Sequence, residues 1–412
     1  MGYFRFLAAN PLFLSFGFGL NVFVALGQTF YVSLYNTEIR NALSLTHGEL
    51  AALYGTATIL GSVGLLGTGR LLDRVDLRWF TAATTILVAV GCWLFAAATT
   101  VTAFFFAVLA VRFSAQGLWG VCAQVSMARY FDDNRGKAAA VANTGYALGY
   151  AIFPLVGAWL LLTFGWREAW SLTGWVVLLV ILPITMMQLW GHGKRHRAYE
   201  EKLTSLANGS AGSKVHQWTL AEVFRDSRFW LLQPAMLAVP SVVFSIQFHQ
   251  LYLVEIKGWS LTAFASGYAV YSGVSLLAGF AGGALIDRLG SQRLIGYFLW
   301  PLIPALMLLA FLESPLTIPL LMAFTGLTFG LSLVVFVTVW AELYGTQHMG
   351  AIRSFNIFLN VSFASGVMVL TGWLIDQDVA LEAMCWGGVV CVGVALVSTE
   401  LARRRSHQVR TH

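Results

Sequence analysis

Twelve times along its 412 residues this chain runs apolar for roughly 20 to 28 positions before polar residues return. A helix rises about 1.5 Å per residue, so about 20 residues cross a hydrocarbon core about 30 Å thick. The blocks are residues 11–35, 48–69, 79–99, 102–128, 137–164, 168–190, 229–255, 261–283, 292–312, 315–343, 351–375 and 380–402. Composition agrees with a lipid solvent. The chain is 58% hydrophobic and 11% charged with a mean hydropathy of +0.72, whereas soluble domains carry about 25% charged residues. The expectation is an all-α membrane protein with twelve transmembrane helices, numbered 1 to 12 in that order.

The net charge of +6 does not read as a nucleic-acid surface, because the bases alternate between loops. Arg70, Arg74, Arg78, Arg129, Arg135, Lys137, Lys194, Arg195, Arg197, Arg288, Arg293, Arg353 and Arg403 to Arg405 fall on one side, and only Arg40, Arg167 and Lys257 on the other. The basic side is cytoplasmic by the positive-inside rule, which places both termini inside a bacterial inner membrane. The N-terminal apolar run is too long for a signal-peptide core and reads as a retained helix 1. Residues 191–228 form the one long polar segment, a linker with a short amphipathic helix over Thr219 to Phe224, dividing a six-helix half at 1–190 from another at 229–412. Cys92, Cys122, Cys385 and Cys391 lie in apolar runs without metal-ligand spacing, so neither a metal nor a cofactor is expected.

The halves also repeat in sequence. Gly69-Arg70-Leu71-Leu72-Asp73-Arg74 returns 214 positions later as Gly283-Ala284-Leu285-Ile286-Asp287-Arg288, and Tyr54 falls on Tyr268 at the same offset. Each copy ends an apolar run with glycine, then sets one acid and several bases at the membrane edge. This spacing resembles the signature loop between helices 2 and 3 of the major facilitator superfamily, with its second copy between helices 8 and 9. The resemblance covers the whole chain and implies two pseudo-symmetric six-helix halves with a midplane substrate site between them. It also implies that Gly69, Asp73 and Arg74, and Gly283, Asp287 and Arg288, form a conformational latch. Asp73 would meet the start of helix 11 and Asp287 the start of helix 5, where unpaired amides favour a carboxylate.

Arg112 is the one Asp, Glu, Lys or Arg deep inside a span. On insertion scales such an arginine costs about 2.5–3.5 kcal/mol, tolerated where it faces the protein interior or a wet cavity. It either binds a substrate anion or ties helix 4 to backbone carbonyls and polar groups of helix 1. Arg112-Phe113-Ser114-Ala115-Gln116-Gly117 resembles the family's helix 4 arginine–glycine motif, with one residue more before the glycine. His249 in helix 7 is a candidate proton carrier or cavity-lining group, its unperturbed pKa being about 6.5. Further polar candidates for the substrate site are Asn21 and Gln28 (helix 1), Gln116 (helix 4), Asn143 and Tyr146 (helix 5), Gln247 and Gln250 (helix 7), Tyr268 and Tyr271 (helix 8), and Asn356 and Asn360 (helix 11). For each of these, interhelical packing competes with ligand contact. Gly145, Gly149, Pro154 and Gly157 partly match the helix 5 pattern of the family's antiporters, but Phe153 stands where that pattern has glycine.

Arg225-Asp226-Ser227-Arg228-Phe229-Trp230 and Glu342-Leu343-Tyr344-Gly345 are similar to bacterial monocarboxylate and oxalate/formate carriers, although the Asp and Arg those carriers place in helix 8 are missing. Together these features point to a secondary transporter of a small organic anion, coupled to protons and working as a monomer. The in-class alternative is a proton-driven exporter of amphipathic compounds. A membrane enzyme is disfavoured because no catalytic constellation appears, a channel because the twofold repeat with its opposed charged loops implies rocking halves, and with no nucleotide-binding loop the energy would come from gradients.

Overall fold

The computed structural model describes residues 3–65, 68, 72, 75–131, 134–193, 195–197, 218–345 and 349–410. The described residues are helical throughout, joined by short turns. Among the described residues nine helices are long and apolar enough to cross a membrane, and a tenth crossing is counted when the bent pair Pro11–Gly27 with Thr29–Leu43, turned by 47°, is taken as one span. We label this pair α1. The helices that follow in the chain are α2 (His47–Leu65, not among those nine), α3 (Leu77–Ala97), α4 (Val101–Tyr130), α5 (Arg135–Phe164), α6 (Trp166–Gln188), α7 (Ser227–Phe248 and Gln250–Ile256) and α8 (Leu261–Leu289). Then follow α9 (Ser291–Leu294 and Leu302–Phe311, likewise not among the nine), α10 (Thr317–Tyr344), α11 (Met349–Asp376) and α12 (Leu381–Arg410).

Two crossings differ from the uniform helices expected. Helix 1 continues to Leu43 instead of ending near Tyr35, and it breaks at Val24–Gly27 into a tighter turn followed by extended backbone at Gln28. Helix 9 is helical only over Ser291–Leu294 and Leu302–Phe311, with turns between. Gly296 and Pro301 lie in or beside those turns, one lowering helix propensity and the other lacking an amide to donate.

By contacts the chain forms two compact units, Met1–Leu43 with Leu60–Lys214, and Ser44–Ile59 with Val215–His412. The first half of α2 thus packs with the C-terminal sequence half. Lipid gives no hydrophobic drive between helices, so close approach of backbones does the joining. In the first unit, Gly145 and Gly149 of α5 lie against the Phe18 and Val22 carbonyls of α1, where a Cβ would collide. Trp170 of α6 stacks on Phe95 of α3 at 4.1 Å, with Tyr31 edge-on at 5.6 Å. In the second unit, Gly326 and Gly330 of α10 do for α8 what the α5 glycines do for α1, lying against the Tyr271 and Ser275 carbonyls. The glycines of helix 5 therefore have a packing role in this fold.

The linker helix is Leu220–Arg225, opened by a reciprocal capping box between Thr219 and Glu222. It sits on the second unit: Phe224 meets Phe355 at 4.7 Å, and the Trp218 amide donates to Tyr344 O at 3.2 Å. At the base of the first unit, Asp76 caps α3 by accepting from the Arg78 amide at 2.8 Å, and its side-chain bonds to Arg78 pull its pKa down to about 2.

Candidate functional site

In the first unit the site is built from two irregular stretches of backbone lying against each other. The break in α1 leaves the Gly27 carbonyl at the end of a turn, without the partner a continuous helix would give it. Opposite, α4 widens into a π-helical segment over Arg112–Leu118. Only glycine permits the contact: a Cβ on Gly27 would lie 2.5 Å from the Gln116 backbone nitrogen and 3.0 Å from Ala115 Cβ. Arg112 Nη1 donates to the Gly27 carbonyl at 2.8 Å, and Gln116 Nε2 donates to Gln28 Oε1 at 3.4 Å. Arg112 is 6% exposed. The tie from helix 4 to a helix 1 carbonyl, one of its two expected roles, is therefore present.

The π segment also accounts for the irregular spacing in the helix 4 motif. A π-bulge accommodates one additional residue in a helical turn. The additional residue lies between Arg112 and Gly117, inside the widened stretch, and Gly117 still reaches α2, its Cβ position falling 2.8 Å from Leu65 Cδ1. Tyr146 of α5 interacts electrostatically with Arg112, and its hydroxyl donates to the Tyr150 hydroxyl at 3.5 Å. Thus Arg112, Gln116, Gln28 and Tyr146 are brought together. Asn21 is buried seven residues before Gln28 on α1, its Nδ2 without a partner among the described residues. Asn143 stands apart: it is exposed and accepts from Gln124 Nε2 at 2.9 Å.

In the second unit α7 also breaks, at His249, which joins Ser227–Phe248 to Gln250–Ile256. The imidazole is 5% exposed, and Nε2 lies 3.0 Å from Met368 O of α11. A carbonyl only accepts, so Nε2 carries the hydrogen in this contact. Gln250 Oε1 accepts from the Tyr268 hydroxyl at 2.9 Å. Gln247 and Tyr271 are buried beside them. Asn356 and Asn360 of α11 bond to neighbouring groups, while Asn360 Oδ1 is buried without a partner among the described residues. Asn356 Oδ1 accepts from Gln233 Nε2 at 3.1 Å, and the two Nδ2 groups donate to the Ile352 and Asn356 carbonyls of their own helix at 3.3 and 2.8 Å.

Of the loop residues, Gly69, Asp73 and Arg74 lie outside the described residues, while Asp287 and Arg288 are exposed at the end of α8. Among the described residues no cluster of metal-ligating side chains occurs. Sequence reasoning missed the two helix breaks and the residue Gln233. A glycine followed by glutamine in an otherwise apolar run, Gly27-Gln28, was the available signal for the first break.

Comparison with known proteins places this architecture. Residues 17–368 match the Major Facilitator Superfamily. The chain is similar to an uncharacterized MFS-type transporter, YhjX of Escherichia coli K12, at 23% identity over 330 residues covering 79% of each protein. It is also 27% identical over 270 residues to the membrane sensor protein UhpC of Salmonella typhimurium, covering 62% of this chain and 59% of that one. Among solved structures, a bacterial homolog of the human lysosomal transporter Spinster superposes with a TM-score of 0.69 at 15% identity, over 96% of this chain and 97% of the other. The nucleoside transporter NupG does so with a TM-score of 0.65 at 14% identity, over 94% and 98%. An all-α integral membrane chain matched over most of its length in this way is a member of the Major Facilitator Superfamily.

Proposed function

We propose that this chain is a proton-coupled secondary transporter of a small organic anion, of monocarboxylate type, acting as a monomer in a bacterial inner membrane with both termini cytoplasmic. Arg112 holds the anionic group, and His249 carries the coupled proton. The observation that supports this reading most is the buried Arg112 at the meeting of two helix irregularities. Discontinuous helices gather near substrate sites in transporters, because non-helical backbone at membrane depth is tolerated only inside protein or along a cavity. One guanidinium nitrogen of Arg112 is held by the Gly27 carbonyl, a group with no net charge. A substrate carboxylate is charge-complementary to a guanidinium and fits its planar fork bidentately. His249 supports coupling because an imidazole is the side chain whose ordinary titration lies nearest neutral pH, and this one is buried and held on Met368 O. The charged loops carrying Asp73 and Asp287 serve as the latch between conformations.

The deciding experiment is uptake of a panel of labelled carboxylates by proteoliposomes, with and without a pH gradient. Wild type accumulates at least one, more steeply with the gradient, and Arg112→Gln abolishes it. Normal uptake by Arg112→Gln removes the anion assignment. The likeness to a protein described as a membrane sensor supports a second reading, in which the site binds a ligand without moving it. Saturable binding with no counterflow would favour that reading.

A further inference from the structure

A buried imidazole exchanges protons with water through neighbours that can hold one, because a charge is too costly to pass through apolar groups alone. Beside His249, Phe248 packs edge-to-face at 5.0 Å, and Tyr54 lies 4.9 Å from Phe248. These rings make an apolar flank. A second imidazole is also close: the ring of His47, the first residue of α2, is centred 6.3 Å from that of His249 and tilted by 45°. Direct nitrogen contact or a single intervening water spans such a separation. All four residues belong to the second unit.

Exposure rises along the pair. His249 is buried and His47 half-buried, and the groups around His47 are polar and acidic. Tyr252 packs edge-to-face with His47 at 5.5 Å. Asp376, the last residue of α11, accepts the His47 amide at 2.9 Å, and its charge interacts with that of the imidazole. The exposed carboxylates of Glu255, Asp378 and Glu382 act in turn on the Tyr252 hydroxyl. Glu49, on the same helix as His47, accepts the Thr46 amide at 2.9 Å, and Lys257 donates to Ala310 O at 3.2 Å. Carboxylates gathered in this way favour the charged form of a nearby imidazole and raise the local concentration of cations.

We propose that His47 is a proton relay between this acidic rim and His249. The role rests on the coupling proposed for His249 and supplies its route, at the helix ends away from the basic loops. Neutral His47 takes a proton from water at the rim and becomes an imidazolium. It passes that proton to neutral His249 and returns to neutral, so one charge advances by one site and nothing else is consumed. An imidazole whose ordinary pKa is about 6.5 can both accept and release a proton near neutral pH.

The test uses the full chain in proteoliposomes, with the labelled carboxylates of the uptake panel and an acidic outer medium. Counterflow, which needs no net proton movement, is measured on every variant first. His47→Ala is expected to keep counterflow and to lose about tenfold or more in gradient-driven uptake, since positioned proton-transfer groups contribute factors of about a hundred and above. Imidazole added to the outer medium should restore that uptake, because the free ring can enter the vacated position and carry the same proton. Pyrazole, equal in size but far too weak a base, should not. His249→Gln should lose gradient-driven uptake with or without imidazole. If His249→Gln loses uptake while His47→Ala accumulates normally, the relay is overturned and the coupling role of His249 stands. A defect in His47→Ala that imidazole leaves unchanged has the same meaning. Normal accumulation by His249→Gln, or no gradient-driven uptake of any carboxylate by wild type, removes the coupled reading and the relay with it. Should His47→Ala lose counterflow, His47→Gln replaces it and is expected to separate counterflow from accumulation in the same way. Counterflow lost in both variants, or accumulation kept in His47→Gln, overturns the proposal.

Discussion

Adding one methyl group at Gly27 tests whether the α1–α4 contact organises the first unit. In Gly27→Ala the new Cβ would sit 2.5 Å from the Gln116 backbone nitrogen, so the two backbones must part by roughly 0.9 Å to reach the 3.4 Å where ordinary contact begins. Neither neighbour is a flexible side-chain tip that can swing away. Overpacking of this kind costs about 1–3 kcal/mol. The same retreat stretches the 2.8 Å bond from Arg112 Nη1 to the Gly27 carbonyl beyond hydrogen-bond range unless the arginine follows, and a bond to a charged group contributes about 1.5–3 kcal/mol. We expect a net loss of about 2 kcal/mol or more. Gly120→Ala is the matched control: it lies on the same α4, has nothing within 4 Å of its would-be Cβ, and gains up to about 1 kcal/mol in helix propensity. Thermal unfolding followed by a thiol-reactive dye suits the purpose, because Cys92 and Cys122 of the first unit are buried. Gly27→Ala should melt several degrees below wild type and Gly120→Ala at or above it. Coincident melting of the two variants would refute the close-contact argument.

Two further expectations rest on single imidazoles. His192, 1% exposed, stacks on Phe13 at 5.9 Å with Tyr130 edge-on at 5.0 Å, and burial pushes its pKa down to about 4. Between about 6.5 and about 4 the unfolded chain takes up a proton that the folded chain refuses, so stability present above that window falls as pH drops through it; His192→Phe keeps the ring stack and should flatten the fall in melting temperature from pH 7 to pH 5, and an identical slope in both proteins would exclude His192 as its source. His249→Gln should retain counterflow exchange while losing accumulation driven by a pH gradient, and unchanged accumulation would reassign His249 to holding α7 against α11.

What the sequence made legible follows from what lipid demands. Twelve helical crossings could be read because a hydrocarbon solvent forces helices on long apolar runs, and hydropathy reports length and sign well. It does not report backbone hydrogen bonding, so the break at Val24–Gln28, the widened turn at Arg112–Leu118 and the turns within helix 9 were invisible as pattern. The odd spacing from Arg112 to Gly117 was a trace of the second of these, legible only beside a regular form of the motif. Arg112 itself stood out because a charge at middle depth is expensive, whereas Gln233 looked like any polar residue until its partner Asn356 lay 3.1 Å away. The bond between Asp376 and the start of α2 was hidden for a different reason. It joins residues more than three hundred positions apart, and nothing near His47 or Asp376 in sequence distinguishes a carboxylate that caps a distant helix from one that faces water.

Arg112 carries two demands at once, and they can be separated. A broken helix in lipid leaves a carbonyl that must be satisfied, and Arg112 satisfies that of Gly27 at 2.8 Å. An anion site at the same depth needs a fixed positive charge. A guanidinium meets both because its five donor hydrogens sit in a rigid fork, so one edge can hold the backbone while charge remains delocalised over the rest. Lysine keeps the charge but concentrates it on a single ammonium that cannot span two partners in one plane. Arg112→Lys should therefore retain weak anion binding while losing bidentate geometry, with uptake falling at least about tenfold, and Arg112→Gln should keep a donor for Gly27 but bind no anion. If the arginine served packing alone, the order would reverse: the glutamine variant, which buries no charge, would match or exceed the lysine variant in both melting temperature and uptake. Melting curves and uptake measured together on the two variants decide between these orders.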